Sequence, residues 1–248
     1  MPITLPPPPP LDVARTALFA DLDGTLAPIE ISPDAVGPDD RRRRLLDDLS
    51  SRLGGRLAVI SGRALADLDR VLEHRIPSVA AVHGLVRRTA EGDTIASPPA
   101  AGLAEARGAF GEFARRDDDL LVEEKRWAVA LHYRRAPRWA DAARSLAASL
   151  ARDLGLTLQL GAEVVELRGA GLDKGGAVRA FMAEPPFVGH VPVFIGDDLT
   201  DESGFSTVAK MGGYGVIVGD RRPTSASHCV ADVTAAHQWL AGGSGPPR

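Results

Sequence analysis

Ala17-Leu18-Phe19-Ala20-Asp21-Leu22-Asp23-Gly24-Thr25-Leu26 is an apolar run, heavy enough for a buried strand, that ends in two aspartates one residue apart. A Gly-Thr pair follows at once. In an open α/β sheet, ligands meet the chain just beyond the carboxyl ends of the strands. Two carboxylates there stabilise a fold poorly, because each raises the other's cost of ionisation. They are well suited to holding a divalent cation while one of them presents an oxygen as a nucleophile. An acidic turn after an ordinary strand would read the same way, so the rest of the chain must decide.

The alternation of short apolar runs with helical patterns decides the architecture. Beyond Ala17–Ala20, strands are expected at Arg56–Ile60, Ser78–Val82, Val191–Ile195 and Tyr214–Val218. Helices are expected over Asp39–Arg52, from Ala64, and over Gly175–Met182. Buried strands separated by helices imply an α/β, Rossmann-like parallel sheet with helices on both faces. Strand ends then share one edge. Asp21 and Asp23 meet Ser61-Gly62-Arg63 there, together with Asp197, Asp198 and Asp201 from Gly196-Asp197-Asp198-Leu199-Thr200-Asp201. So many carboxylates need a compensating cation, and Mg2+ suits an oxygen-lined site that also receives phosphate.

Between the third and fourth of these strands the texture changes. Leu120–Arg134 reads as two strands around a charged turn, Trp139–Leu154 as a helix, and Thr157–Leu160 and Val164–Leu167 as two further strands. Paired strands around a helix indicate a small inserted α+β domain with an antiparallel sheet. The expected organisation is a proline-rich leader over residues 1–16, a core over 17–95 and 171–238, the insertion over 96–170, and a flexible tail over 239–248.

Composition sets the class. The chain has 248 residues, 44% hydrophobic and 25% charged, an ordinary globular balance with room for a substantial core. A net charge of -4 argues against a nucleic-acid binder driven by bulk electrostatics. One cysteine, Cys229, cannot form an intrachain disulfide, which suits a reducing compartment. No apolar run approaches the ~20 residues that span a bilayer. A cytoplasmic protein without membrane partners is expected. The run Pro6–Pro10 should be extended and solvated, and Arg41–Arg44 should form a solvated helical face.

Four motifs in order resemble the haloacid dehalogenase (HAD) superfamily: Asp21-Leu22-Asp23-Gly24-Thr25, Ser61-Gly62-Arg63, Lys174 in Leu172-Asp173-Lys174-Gly175, and Gly196-Asp197-Asp198-Leu199-Thr200-Asp201-Glu202. Within it the chain resembles the trehalose-6-phosphate phosphatases. That narrower likeness rests on Val82-His83-Gly84, on Glu123-Glu124-Lys125 with His132-Tyr133-Arg134, and on Val165-Glu166-Leu167-Arg168. One departure is that Leu85-Val86-Arg87-Arg88 lacks the acid often found soon after the His-Gly pair.

The resemblance implies a Mg2+-dependent phosphatase acting through an aspartyl-phosphate. Asp21 would be the nucleophile, and Asp23 the acid and then the base. Lys174 would neutralise Asp21 and the phosphoryl oxygens; a lysine opening a helix opposes the helix dipole and so needs such a reason. Metal ligands would come from Asp21, Asp23, Asp197, Asp198 and Asp201. Asp197 would bind directly, with Asp198 and Asp201 holding waters or orienting Lys174. Ser61, with the neighbouring backbone N–H groups of Gly62 and Arg63, would bind phosphate oxygens, and His83 would touch substrate or sit as a satisfied core histidine.

Discrimination among phosphate esters must come from groups that reach the rest of the molecule. Glu123, Lys125, His132, Arg134, Glu166 and Arg168 have suitable paired chemistry for sugar hydroxyls and lie in or beside the insertion. An inserted domain of this kind can close over a core and exclude water. The expected substrate is trehalose 6-phosphate, with a functional link to a trehalose-6-phosphate synthase. Glucosylglycerol phosphate and mannosyl-3-phosphoglycerate remain alternatives, as does a non-catalytic sugar-phosphate sensor.

Overall fold

β1 (Thr16–Ala20), α1 (Asp40–Arg52), β2 (Leu57–Ile60), α2 (Leu65–Leu72) and β3 (Ser78–Ala81) follow the alternation read from the sequence. A short hairpin, β4 (Val86–Arg88) and β5 (Thr94–Ala96), comes next. Then come α3 (Leu103–Ala114), β6 (Leu121–Glu124), β7 (Ala128–His132), α4 (Ala140–Leu154), β8 (Leu156–Gly161) and β9 (Val164–Gly169). The chain ends with α5 (Lys174–Met182), β10 (Val191–Gly196), α6 (Glu202–Lys210), β11 (Tyr214–Val218), β12 (His228–Val230) and α7 (Val233–Leu240). This computed structural model describes residues 5–30, 35–161, 163–169, 173–221 and 223–242. It divides into two units, Met1–Ala96 with Leu172–Arg248, and Ser97–Gly171.

In the first unit the sheet order is β12-β11-β10-β1-β2-β3-β4-β5. It is parallel from β12 to β3, and the β3–β4–β5 edge is antiparallel. β1 is central and buried along its length. Its side chains alternate between faces, as the strand period requires. Leu18 and Ala20 join Leu46, Leu49, Val71 and Leu240 on one side; Ala17 and Phe19 join Phe181, Phe187 and Phe205 on the other. Phe19 stacks on Phe187 with centroids 5.5 Å apart. Truncating it to alanine would cost ~3–5 kcal/mol in such a core.

α1 starts where Asp39 accepts the N–H of Arg42 at 2.7 Å, and buries Leu45, Leu46 and Leu49. Its arginine run is not wholly solvated. Arg42 is buried, donating to the carbonyls of Gly37 and Val71. The hairpin β4–β5 and the strand β12, three residues each, were not expected from the sequence, being too short to show a period.

The proline stretch is docked rather than free. Pro6 O accepts the N–H of Cys229 at 3.0 Å, Pro9 O accepts the indole N–H of Trp239 at 2.7 Å, and Leu11 enters the core. Prolines lack an N–H but keep their carbonyls, and β12 is a sheet edge with N–H groups to satisfy. Trp239 and Leu240, expected in the tail, complete α7 and are buried. The rest of that tail, from residue 243, lies outside the described residues. Among the described residues no helix is long and apolar enough to cross a membrane.

The second unit has an antiparallel sheet in the order β6-β7-β9-β8. α3 and α4 cover one face, where Val129, Leu131, Val165 and Leu167 pack with Phe110, Phe113, Ala143 and Ala147. α3 was missed in the sequence because its two glycines blur the helical pattern.

Candidate active site

Parallel pairing places the turns after β1, β2, β3 and β10 along one edge of the first unit's sheet. They line a cavity of about 720 Å³ that includes Asp21, Asp23, Ser61, Gly62, Arg63, His83, Lys174, Asp197 and Asp198. Gly24 makes the first turn possible. Its φ is +81°, and a Cβ there would lie 2.2 Å from Asp197 Oδ2, so only glycine lets the two acidic turns approach. Thr25, fully buried, donates its hydroxyl to Asp197 Oδ1 at 3.4 Å.

Lys174 is the centre of the charge arrangement. Its Nζ lies 2.9 Å from Asp21 Oδ1 and 2.7 Å from Asp201 Oδ1, and all three side chains are almost wholly shielded from solvent. Asp173 caps α5 by accepting the N–H of Gly176 at 2.7 Å, so the lysine is the helix's first residue. Asp201 is heavily engaged, because its Oδ2 also accepts the N–H groups of Asp197 and Asp198 at 2.9 and 3.0 Å. It orients the lysine and the acidic turn.

Burial works against the ammonium of Lys174, but Asp21 and Asp201 outweigh it and hold the lysine above its usual range. Burial pushes Asp21 up to about 8, with Lys174 opposing and Asp201 adding to the rise. Asp197 is pushed up to about 6 by burial and by Asp201 and Asp198. One ammonium thus faces three carboxylates. Asp21, Asp197 and Asp201 each bring an oxygen within 4.8 Å of the others, an all-oxygen set that fits a hard divalent cation. With Asp201 already committed, Asp21 and Asp197 are the residues that would hold it.

Other expected ligands have different partners. Asp198 is exposed and caps the short turn Leu199–Asp201, its Oδ1 accepting the N–H and hydroxyl of Thr200. Arg63 lines the same cavity as Asp21, with its side chain engaged by carboxylates. It donates from Nε and Nη2 to both oxygens of Asp23 at 2.7 Å, and from Nη1 to Asp67 at 2.5 Å. Asp67 is a partner that the sequence motifs do not single out; its signal is the four-residue spacing from Arg63, in the first turn of α2. Ser61 is buried, its hydroxyl accepting the N–H of Arg63 at 3.2 Å.

In the second unit, the face of the sheet opposite the helices carries charge. Glu123 and Glu166 both pair in register with Ala130, so the two acids flank a methyl group. Lys125 Nζ lies 2.7 Å from Glu166 and 3.7 Å from Glu123, and His132 Nε2 lies 2.9 Å from Glu123. The structure brings these four together. Arg134 is apart, paired with Glu163 at 2.9 Å. Arg168 has a buried Nε with no hydrogen-bond partner among the described residues.

Residues 19–234 match the family described as trehalose-phosphatase. The chain is 41% identical over 230 residues to the trehalose-6-phosphate phosphatase of Escherichia coli (strain K12), covering 92% of this chain and 86% of that one. It is 36% identical over 227 residues to the probable trehalose-phosphate phosphatase of Sinorhizobium fredii (strain NBRC 101917 / NGR234), covering 91% and 85%. Among solved structures, the trehalose-6-phosphate phosphatase of Aspergillus fumigatus aligns with a TM-score of 0.75 at 29% identity, covering 94% and 97% of the two chains.

Proposed function

The chain belongs to the trehalose-phosphatase family of phosphoric monoester hydrolases, and on that premise we propose that it hydrolyses trehalose 6-phosphate through an aspartyl-phosphate with Mg2+ as cofactor. The observation that carries the mechanism is the buried Lys174 between Asp21 and Asp201 at the sheet edge. A core group would not be left with so many acids around one amine. A reacting carboxylate that must stay oriented and available has reason to be placed there.

Asp21 attacks phosphorus, forming an O–P bond as the bond to the sugar oxygen breaks. Lys174 holds Oδ1 of Asp21 and so fixes which way the carboxylate faces. Asp23 gives a proton to the departing oxygen and takes one from the water that next attacks the phosphoryl group. For the first of these roles at least one bond from Arg63 to Asp23 must open. Bound by Asp21 and Asp197, Mg2+ would supply the positive charge that lets a phosphate dianion approach so acidic an edge.

The charged strip of Glu123, Lys125, His132 and Glu166 offers alternating donors and acceptors, which suits sugar hydroxyls. We assign substrate discrimination to it, with Arg168 as a further donor. A synthase that makes the sugar ester would be the functional partner, in the cytoplasm.

Phosphate release from trehalose 6-phosphate, glucose 6-phosphate, glucosylglycerol phosphate and mannosyl-3-phosphoglycerate, with and without Mg2+, tests the reading. Preference for trehalose 6-phosphate and loss in chelator are expected. Preference for another ester would overturn the substrate, and full activity in excess chelator would overturn the metal.

A further inference from the structure

Val82, His83 and Gly84 follow β3 with φ angles of 50°, 57° and 106°. Consecutive left-handed residues are rare, and a β-branched side chain is the worst suited to that region. Such strain persists only where the surroundings over-determine it, and it gathers at functional sites.

The surroundings here are two elements of the candidate active site. The N–H of Val82 donates to Arg63 O, and the N–H of His83 to Ser61 O, both at 2.9 Å. The imidazole of His83 lies over Gly62, where a Cβ would come within 2.7 Å of Cε1 and 2.8 Å of Nε2. Gly84 faces the start of α5, where its Cβ would lie 3.0 Å from Asp173 O and 3.1 Å from Ala177 Cβ. That carbonyl accepts the N–H of Ala177, closing the first turn of the helix that Lys174 opens. Gly175 is pressed from the other side, with Ser203 O only 2.5 Å from where its Cβ would be.

We propose that Val82–Gly84 is a strained spacer that sets the distance between the Ser61-Gly62-Arg63 loop and Lys174, with His83 a positioning residue that acts through Gly62. The proposal rests on the phosphatase reading, in which that loop and that lysine face the same phosphoryl group. Each contact has one geometry. The ring supports a backbone with no side chain of its own, and Gly84 lets the helix start approach closely. A relaxed turn would leave both free to shift, and a misplacement of about 1 Å can cost ~10²-fold in rate.

The test uses Gly62→Ala, His83→Ala and the double variant on the full chain, assayed with a sugar phosphate and with 4-nitrophenyl phosphate. Binding of inorganic phosphate by calorimetry reads the pocket apart from turnover. His83→Ala should lower kcat/KM by the same factor on both esters and weaken phosphate binding. Gly62→Ala, which drives a methyl into the ring, should lose about 10²-fold. The double variant should recover about tenfold over Gly62→Ala, because the colliding partner is gone. Asparagine tolerates the left-handed region, so His83→Asn keeps the turn without the ring and carries the same expectation if His83→Ala fails to fold. Failure of the wild type on both esters would remove the phosphatase reading itself. Given wild-type activity, a loss confined to the sugar phosphate would make His83 a sugar ligand, and a double variant no better than Gly62→Ala would overturn the role through Gly62.

Discussion

Arg63 grips both carboxylate oxygens of Asp23, from Nε and Nη2, at 2.7 Å each. The guanidinium is itself nearly buried and tied on its far side to Asp67. Asp23 is therefore held in one orientation, and delivering a proton from it requires part of the fork to open. Asp23→Asn should lose ~10²–10⁴-fold on a sugar phosphate, the usual worth of positioned acid–base catalysis. The loss on 4-nitrophenyl phosphate should be far smaller, since nitrophenolate leaves without a proton. Equal losses on both esters would remove the acid role.

Asp21→Asn should abolish turnover and the formation of any phosphate-labelled chain, while far-UV circular dichroism stays native. Residual turnover above about a hundredth of wild type would point to another nucleophile, because a lost nucleophile costs more than that.

Metal binding should depend on pH in a defined direction. Asp21 sits at about 8 and Asp197 at about 6, both raised first by burial. A carboxyl raised in the folded state holds a proton that the unfolded chain has released. In chelator, stability should therefore fall as pH climbs from about 4 toward about 8. A cation on these carboxylates must displace the protons, so below their pKa values its affinity should rise about tenfold per pH unit for each proton lost. Thermal unfolding with and without Mg2+ reads both effects, and the gain from Mg2+ should be larger at alkaline than at acid pH. A gain that does not vary with pH would show that these carboxylates are not the ligands.

Substrate choice should be separable from chemistry. Glu166→Ala should cost roughly ten- to hundred-fold in kcat/KM on trehalose 6-phosphate, the worth of one charge-assisted hydrogen bond, and little on 4-nitrophenyl phosphate. Because Lys125 bonds Glu166 directly, Lys125→Ala should share that selectivity, and the double variant should fall short of the sum. Parallel losses on both esters would make the strip structural.

The proline stretch should contribute stability. Trp239→Phe strips the donor that Pro9 O accepts and leaves part of the buried indole's space empty, and should cost at least about 1 kcal/mol in urea unfolding. Removing residues through Pro10 should cost more, since the N–H and thiol of Cys229 also lose the carbonyls of Pro6 and Leu5. Unchanged unfolding midpoints would show that the docking contributes nothing.

The amino-acid sequence by itself determined the alternation of the core strands β1, β2, β3, β10 and β11 with α1, α2 and α5, the inserted α+β unit, and the crowding of Asp21, Asp23 and Asp197 at one edge, though not α3, β12 or the β4–β5 hairpin. These are local properties. An apolar run ending in acids, or a lysine where a helix begins, announces itself within about ten residues, and parallel pairing then leaves the strand ends little freedom. What tertiary structure alone decided was partnership. Arg63 pairs with Asp23, forty positions away, and Asp201 with Lys174, twenty-seven away. The prolines dock on Cys229 and Trp239, and Gly24 admits Asp197. Each choice lay among several groups of equal chemistry. It was made by which of them the packed sheet brings within about 3 Å, a distance that no local pattern of residues encodes.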